Sequence, residues 1–213
     1  MERKRIIKVC GMTDASNIRQ VAETGVDWIG MIFWQPSSRC CHDPGVAQTI
    51  PEGIQRVGVF VDEEVETIVR RTEECGLNRV QLHGRETATS IRQLRQRLPQ
   101  GVEIIKAISI HPLDDLALAK AYEPLADYLL FDTKCETVGG SGRQFDWSIL
   151  NHYQGQRPFL LSGGIGPDDA RRLAAFSHPQ LAGYDLNSRF ETAPGIKNVE
   201  ALQRFLAERK EWG

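Results

Sequence analysis

Cys10 closes the β-branched run "IIKVC" (6–10) and is followed at once by Gly11. A thiol acts as a base only when ionised; a free one titrates at about 8.5, and a neighbouring cation or a helix N-terminus lowers that value. The competing reading is an inert core thiol. Asp132 closes a second apolar run, "YLLFD" (128–132), where desolvation raises a carboxyl towards the range of a general acid. Its competing reading is a helix cap or a loop carboxylate. A thiol and a carboxyl at two strand ends, facing each other across a cavity, would form an acid–base pair able to move protons on a small molecule.

Other residues suit the recognition of an anionic ligand. Arg39 in "PSSR" offers a bidentate fork for a carboxylate, or else a surface ion pair. His83 in "QLHG" orients a ligand or satisfies a backbone carbonyl. Lys8, Lys106 and Lys134 raise a Schiff-base reading. Lys8 and Lys134 share strand parity with Cys10 and Asp132, so an electrostatic role that depresses the thiol suits them better. Three glycine-rich stretches, "GGSG" (139–142), "SGGIGPDDA" (162–170) and "NSRFETAPG" (187–195), let backbone N–H groups approach a phosphate. "GGSG" is not a nucleotide-binding loop, because no Gly-Lys-Ser/Thr follows it. The adjacent Cys40 and Cys41 of "RCCH" have no second pair elsewhere, so no metal is expected.

The bulk of the chain narrows its partners. Its 213 residues are 41% hydrophobic and 25% charged, with a net charge of −2, which excludes a global basic field for nucleic acid or an anionic membrane. No apolar run approaches the roughly 18 residues of a membrane helix, and "MERKR" is not followed by an uninterrupted apolar segment of the signal-peptide kind. Five cysteines without C-x-x-C spacing fit a reducing compartment. A cytoplasmic protein acting on a small phosphorylated molecule, as a monomer or homodimer, is expected.

The elements that must hold these residues alternate. Strand-like runs recur at 6–10, 28–33, 55–61, 79–83, 103–110, 127–132, 158–162 and 182–187, with amphipathic helical stretches at 14–25, 63–76, 87–99, 167–176 and 197–209. The region 43–51 reads as a short, weak helix. Eight βα units without a dividing linker predict an α/β fold: one closed (β/α)8 barrel, the TIM-barrel architecture, over residues 1–213. An open doubly wound sheet fits less well, since no G-x-G-x-x-G follows the first strand. A barrel carries its site at the C-terminal strand ends, with phosphate in the loops after strands 7 and 8. Cys10, Asp62, His83, Asp132, the Gly163–Gly164 pair and Asn187–Ser188 all stand at such ends.

Taken together, "KVCGMT", "VQLHG", "LLFDTK" with "GGSGRQFDW", "LSGGI" and "GYDLNSRFE…PGIKN" resemble the phosphoribosylanthranilate isomerase family of tryptophan biosynthesis, in the family's order from residue 6 to about 200. The resemblance implies an Amadori rearrangement of a phosphoribosyl-anthranilate with no metal or organic cofactor. It implies Asp132 as general acid and Cys10 as general base, Arg39 on the anthranilate carboxylate, and His83 and Asp185 lining the site. Gly140, Gly142, Gly163, Gly164, Asn187 and Ser188 would hold the phosphate. The last loop departs from the family's "D-V-S-S-G-V-E": Asn187 stands for a serine and Arg189 for a glycine. A ring closure of the indole-glycerol-phosphate kind would use a lysine acid, and a scaffold protein would need no acid–base pair.

Overall fold

The β-branched runs form strands because each inner residue has a side chain that packs inside a barrel and each outer residue one that packs under a helix. The computed structural model describes residues 4–110, 116–132 and 147–208. Its strands are β1 (Ile6–Val9), β2 (Trp28–Ile32), β3 (Gln55–Phe60), β4 (Arg79–Leu82), β5 (Glu103–Ser109), β6 (Tyr128–Asp132), β7 (Phe159–Ser162) and β8 (Leu181–Leu186). They pair in parallel in sequence order, and β8 returns to β1 with Ile6 opposite Gly183 and Val9 opposite Leu186. The sheet is therefore a closed eight-stranded barrel without an edge.

Parallel neighbours need crossovers, and these run through α1 (Ala15–Ala22), α2 (Val65–Cys75), α3 (Ala88–Arg97), α4 (Leu116–Tyr122) and α5 (Ala170–Ala175), with α6 (Val199–Ala207) closing the chain. The helix starts follow from side-chain caps: Asp14 accepts from the Asn17 amide, Thr87 from Ser90 and Asn198 from Ala201. Two crossovers lack an α-helix among the described residues: 44–49 and 147–152 are short 3₁₀ turns. The weak element expected at 43–51 is the first of these. Two features go beyond the sequence reading: α4, and an antiparallel hairpin of β9 (Glu191–Ala193) and β10 (Ile196–Lys197) after β8.

Strand parity divides the core. Outer residues such as Ile7, Val9, Val80, Leu82, Leu129 and Phe131 pack with the helices, while Trp28, Val57, Ile105, Ala107, Leu130 and Leu160 fill the barrel. Each fully buried aliphatic side chain contributes about 1.5–3 kcal/mol. The N-terminal end is plugged by the Arg79 guanidinium, 3.9 Å from the Trp28 ring and paired with Glu103. The C-terminal end is where the inner parity brings polar side chains together.

Candidate active site

Cys10 follows β1 on its inner face, two residues beyond Lys8. Lys8 is fully buried and donates to Asp185 of β8 at 2.8 Å, which the parallel register places directly alongside it. Ser162 of β7 lies 3.4 Å from the same carboxylate. Room for the thiol comes from Gly30 on β2, where a methyl group would stand 2.9 Å from Cys10 Sγ and 3.3 Å from Lys8 Cε. Gly11 has φ +76°, a left-handed turn that glycine adopts without strain, and it lets Arg39 and Asn187 approach to about 3.0 Å of where a side chain would begin.

The electrostatics correct one expectation. Burial pushes the Cys10 thiol up from its ordinary value; the adjacent Lys8 charge opposes this, and Asp185 adds to it. The sequence reading has Lys8 or Lys134 help to depress the thiol, but Asp185 neutralises Lys8, and the low-dielectric interior penalises the thiolate. Lys8 itself is held above its ordinary value: burial alone would lower it, and the Asp185 and Cys10 charges more than offset that.

Asp132 ends β6, 7% exposed. His83, one residue past β4, places Nε2 at 3.3 Å from Asp132 Oδ2, and Gln81 Nε2 reaches His83 Nδ1 at 3.0 Å. Gln81, His83 and Asp132 thus form one chain of contacts across the inner surface from β4 to β6.

Arg39 lies beside this mouth and is not free in solution. Its Nε and Nη2 both donate to Glu191, at 2.9 and 2.7 Å, and Lys197 Nζ donates to the same carboxylate at 2.6 Å. Burial alone would raise Glu191, but the hydrogen bonds from Arg39 and Lys197 hold it below the usual carboxylate range. Lys197 also donates to Asn187 Oδ1 at 2.8 Å, so the oxygen of this amide faces the cation. Gly163 and Gly164 both have positive φ, 93° and 66°, at the end of β7. Arg189, exposed after β8, leans over Gly166, with Nε 2.8 Å from where a methyl group there would stand. Gly140, Gly142 and Lys134 lie outside the described residues.

Lys106, the third lysine of the Schiff-base reading, has the opposite parity. It points outward and donates to Leu82 O, Gly84 O and Glu86 Oε2 at 3.2, 2.8 and 2.8 Å, which fixes the loop that carries His83. Among the described residues no group of His, Cys, Asp or Glu is arranged to hold a metal, and no helix is long and apolar enough to cross a membrane. Sequence reasoning overlooked Gln81, Glu191 and Lys197. The alternation Gln81-x-His83 was the available signal for the first; the other two depend on a hairpin that no periodicity announces.

Comparison with known proteins agrees with this geometry. The family described as "N-(5'phosphoribosyl)anthranilate (PRA) isomerase" matches residues 7–208. The chain is similar to N-(5'-phosphoribosyl)anthranilate isomerase of Phocaeicola vulgatus, 46% identical over 207 residues, covering 97% of this chain and 98% of that one. The Parabacteroides distasonis protein of the same name is 43% identical, covering 95% and 92%. The crystal structure of the Thermotoga maritima isomerase superposes with a TM-score of 0.83 at 33% identity, covering 97% of this chain and 98% of that one. A phosphoribosyl anthranilate isomerase in complex with reduced 1-(o-carboxyphenylamino)-1-deoxyribulose 5-phosphate gives a TM-score of 0.81 at 31% identity, with the same coverage. With a match over nearly its whole length and the polar groups gathered at the C-terminal end of a closed parallel barrel, this chain belongs to the phosphoribosylanthranilate isomerase family.

Proposed function

We propose that the chain, acting as one domain over residues 1–213 and as a monomer or homodimer, converts N-(5'-phosphoribosyl)anthranilate into 1-(2-carboxyphenylamino)-1-deoxyribulose 5-phosphate by paired acid–base catalysis. Asp132 protonates the ribose ring oxygen, the C1–O bond breaks, and the anilino nitrogen lone pair forms an iminium. Cys10, as thiolate, takes the proton from C2, and the C2–H electrons neutralise the iminium to an enolamine. Proton return to C1, with loss of the C2 hydroxyl proton as the C2=O bond forms, gives the ketone. The observation that carries this reading is the placement of a buried thiol beside Lys8 and a carboxyl beside His83 at the same barrel end, on β1 and β6. Burial keeps most of the thiol protonated in the free protein. The iminium that forms beside it supplies the positive charge that favours its ionised form.

Arg39, braced by Glu191, is the proposed partner of the anthranilate carboxylate. The Gly163–Gly164 turn, with Asn187–Ser188, Gly140 and Gly142, is the proposed phosphate cradle. His83 and Asp185 complete the sugar site, and no cofactor takes part. The deciding experiment mixes purified protein with phosphoribosylanthranilate and follows the loss of anthranilate-type fluorescence. An unchanged signal at micromolar protein removes the reading.

A further inference from the structure

Gln81 stands below His83 on the inner face of β4, 1% exposed, and the proposed chemistry does not use it. A leucine would fill this volume without the unfavourable burial of an amide. Gln81 Nε2 lies 3.0 Å from His83 Nδ1, while Oε1 meets no donor among the described residues. The contact with Nδ1 is therefore what orients the amide. Its two ends are nearly equal in size, so a half-turn exchanges them without a clash.

That half-turn changes what the ring carries. With the amide nitrogen towards it, Nδ1 is an acceptor; the ring proton sits on Nε2 and is donated to ionised Asp132, 3.3 Å away. The pair then holds one proton. With the amide oxygen towards it, Nδ1 carries a proton, and a second lies between Nε2 and Asp132 Oδ2, available to a substrate oxygen. The other charges on the surrounding elements come largely as internal pairs: Lys8 of β1 with Asp185 of β8, and Lys106 of β5 with Glu86 of the β4–α3 loop. Cys10 is held neutral by burial, and Asp62, after β3, accepts from the Arg85 amide.

We propose that Gln81 is a positioning residue for the acid: its amide oxygen stabilises the two-proton state of the His83–Asp132 pair through a charge-assisted contact, and its nitrogen takes over, in a weaker neutral contact, when the pair is down to one. The kinetic part of this rests on Asp132 being the acid; the proton content of the pair does not. The test is nitrogen NMR of His83 in labelled protein across pH, beside pH profiles of kcat. In Gln81→Glu, which only accepts, the Nδ1 proton persists to a pH higher by about one unit; in Gln81→Leu it is lost about one unit earlier. The alkaline limb of kcat moves in the same two directions, and KM stays within about twofold because the amide lies beneath the imidazole. Ring signals that superimpose on the wild type in both variants overturn the inference, and Gln81→Glu alone decides it should the leucine variant not fold. Ring signals that move while the kcat limb stays put uphold Gln81 and remove Asp132 as the acid.

Discussion

Lys8 and Lys106 each stand 2.8 Å from a buried carboxylate, on opposite faces of the same sheet. Lys106, between sheet and helices, has two backbone carbonyls as further partners, so its ammonium is satisfied and the loop after β4 is locked. Lys8, inside the barrel, has Asp185 on one side and the Cys10 thiol on the other. Two similar ion pairs therefore do different work. A pair closed by backbone acceptors is architecture; a pair left open towards a titratable neighbour tunes that neighbour. Strand parity alone separates them.

The largest expected effect tests whether the inner pair serves catalysis at all. Cys10→Ala and Asp132→Asn each lower turnover by about 10²–10⁴ with an unchanged circular dichroism spectrum. Full turnover in both removes the mechanism. Next come the lysines themselves. Lys106→Met leaves Glu86 as an uncompensated buried charge and costs about 3–5 kcal/mol in urea unfolding, while the shape of the pH–rate profile is kept. Lys8→Met costs a similar amount through Asp185 and, in addition, moves the thiol-dependent limb to higher pH, because the charge that favours the thiolate is gone. Matching pH profiles in the two variants would erase the distinction between the pairs.

Smaller effects sharpen it. In Gly30→Ala the added methyl must displace Sγ or the Lys8 side chain; a shift of this kind lowers kcat by about 10²-fold while unfolding stability changes little. Away from the mouth, burial pushes the Cys41 thiol up to about 12 from 9.0. The folded state thus holds that proton more tightly than the unfolded one. Its contribution is full below the ordinary value and is lost as pH rises from 9.0 towards about 12, so the urea midpoint falls across that window. Cys41→Ala flattens this slope; an unchanged slope would assign it to other groups. Smallest of all, Arg189→Gly raises KM about threefold, since an exposed guanidinium adds little to anion binding. An unaltered KM would show that it does not reach the phosphate.

Most of the barrel was legible because its physics is local. The short β-branched run 55–61 becomes Gln55–Phe60; helix starts at Asp14, Thr87 and Asn198 follow from capping oxygens that the chain itself supplies. Cys10, His83 and Asp132 could be singled out in the sequence because strand ends are the top of a barrel, and Asp185 through the family resemblance. The Arg39–Glu191–Lys197 cluster was not. It joins the loop after β2 to a hairpin some 150 residues later, and sequence separation carries no trace of that distance in space.

By itself the amino-acid sequence determined the order of elements, the parity of each strand and therefore which side chains face inward: these depend on neighbours within a few residues. The tertiary structure alone decided the state of those side chains. Only closure of β8 onto β1 brings Asp185 to Lys8, and only burial beneath the mouth raises the thiol that a neighbouring lysine, read from the sequence, would lower. Ionisation depends on every charge and every solvent path around a group, and those are set when the barrel closes.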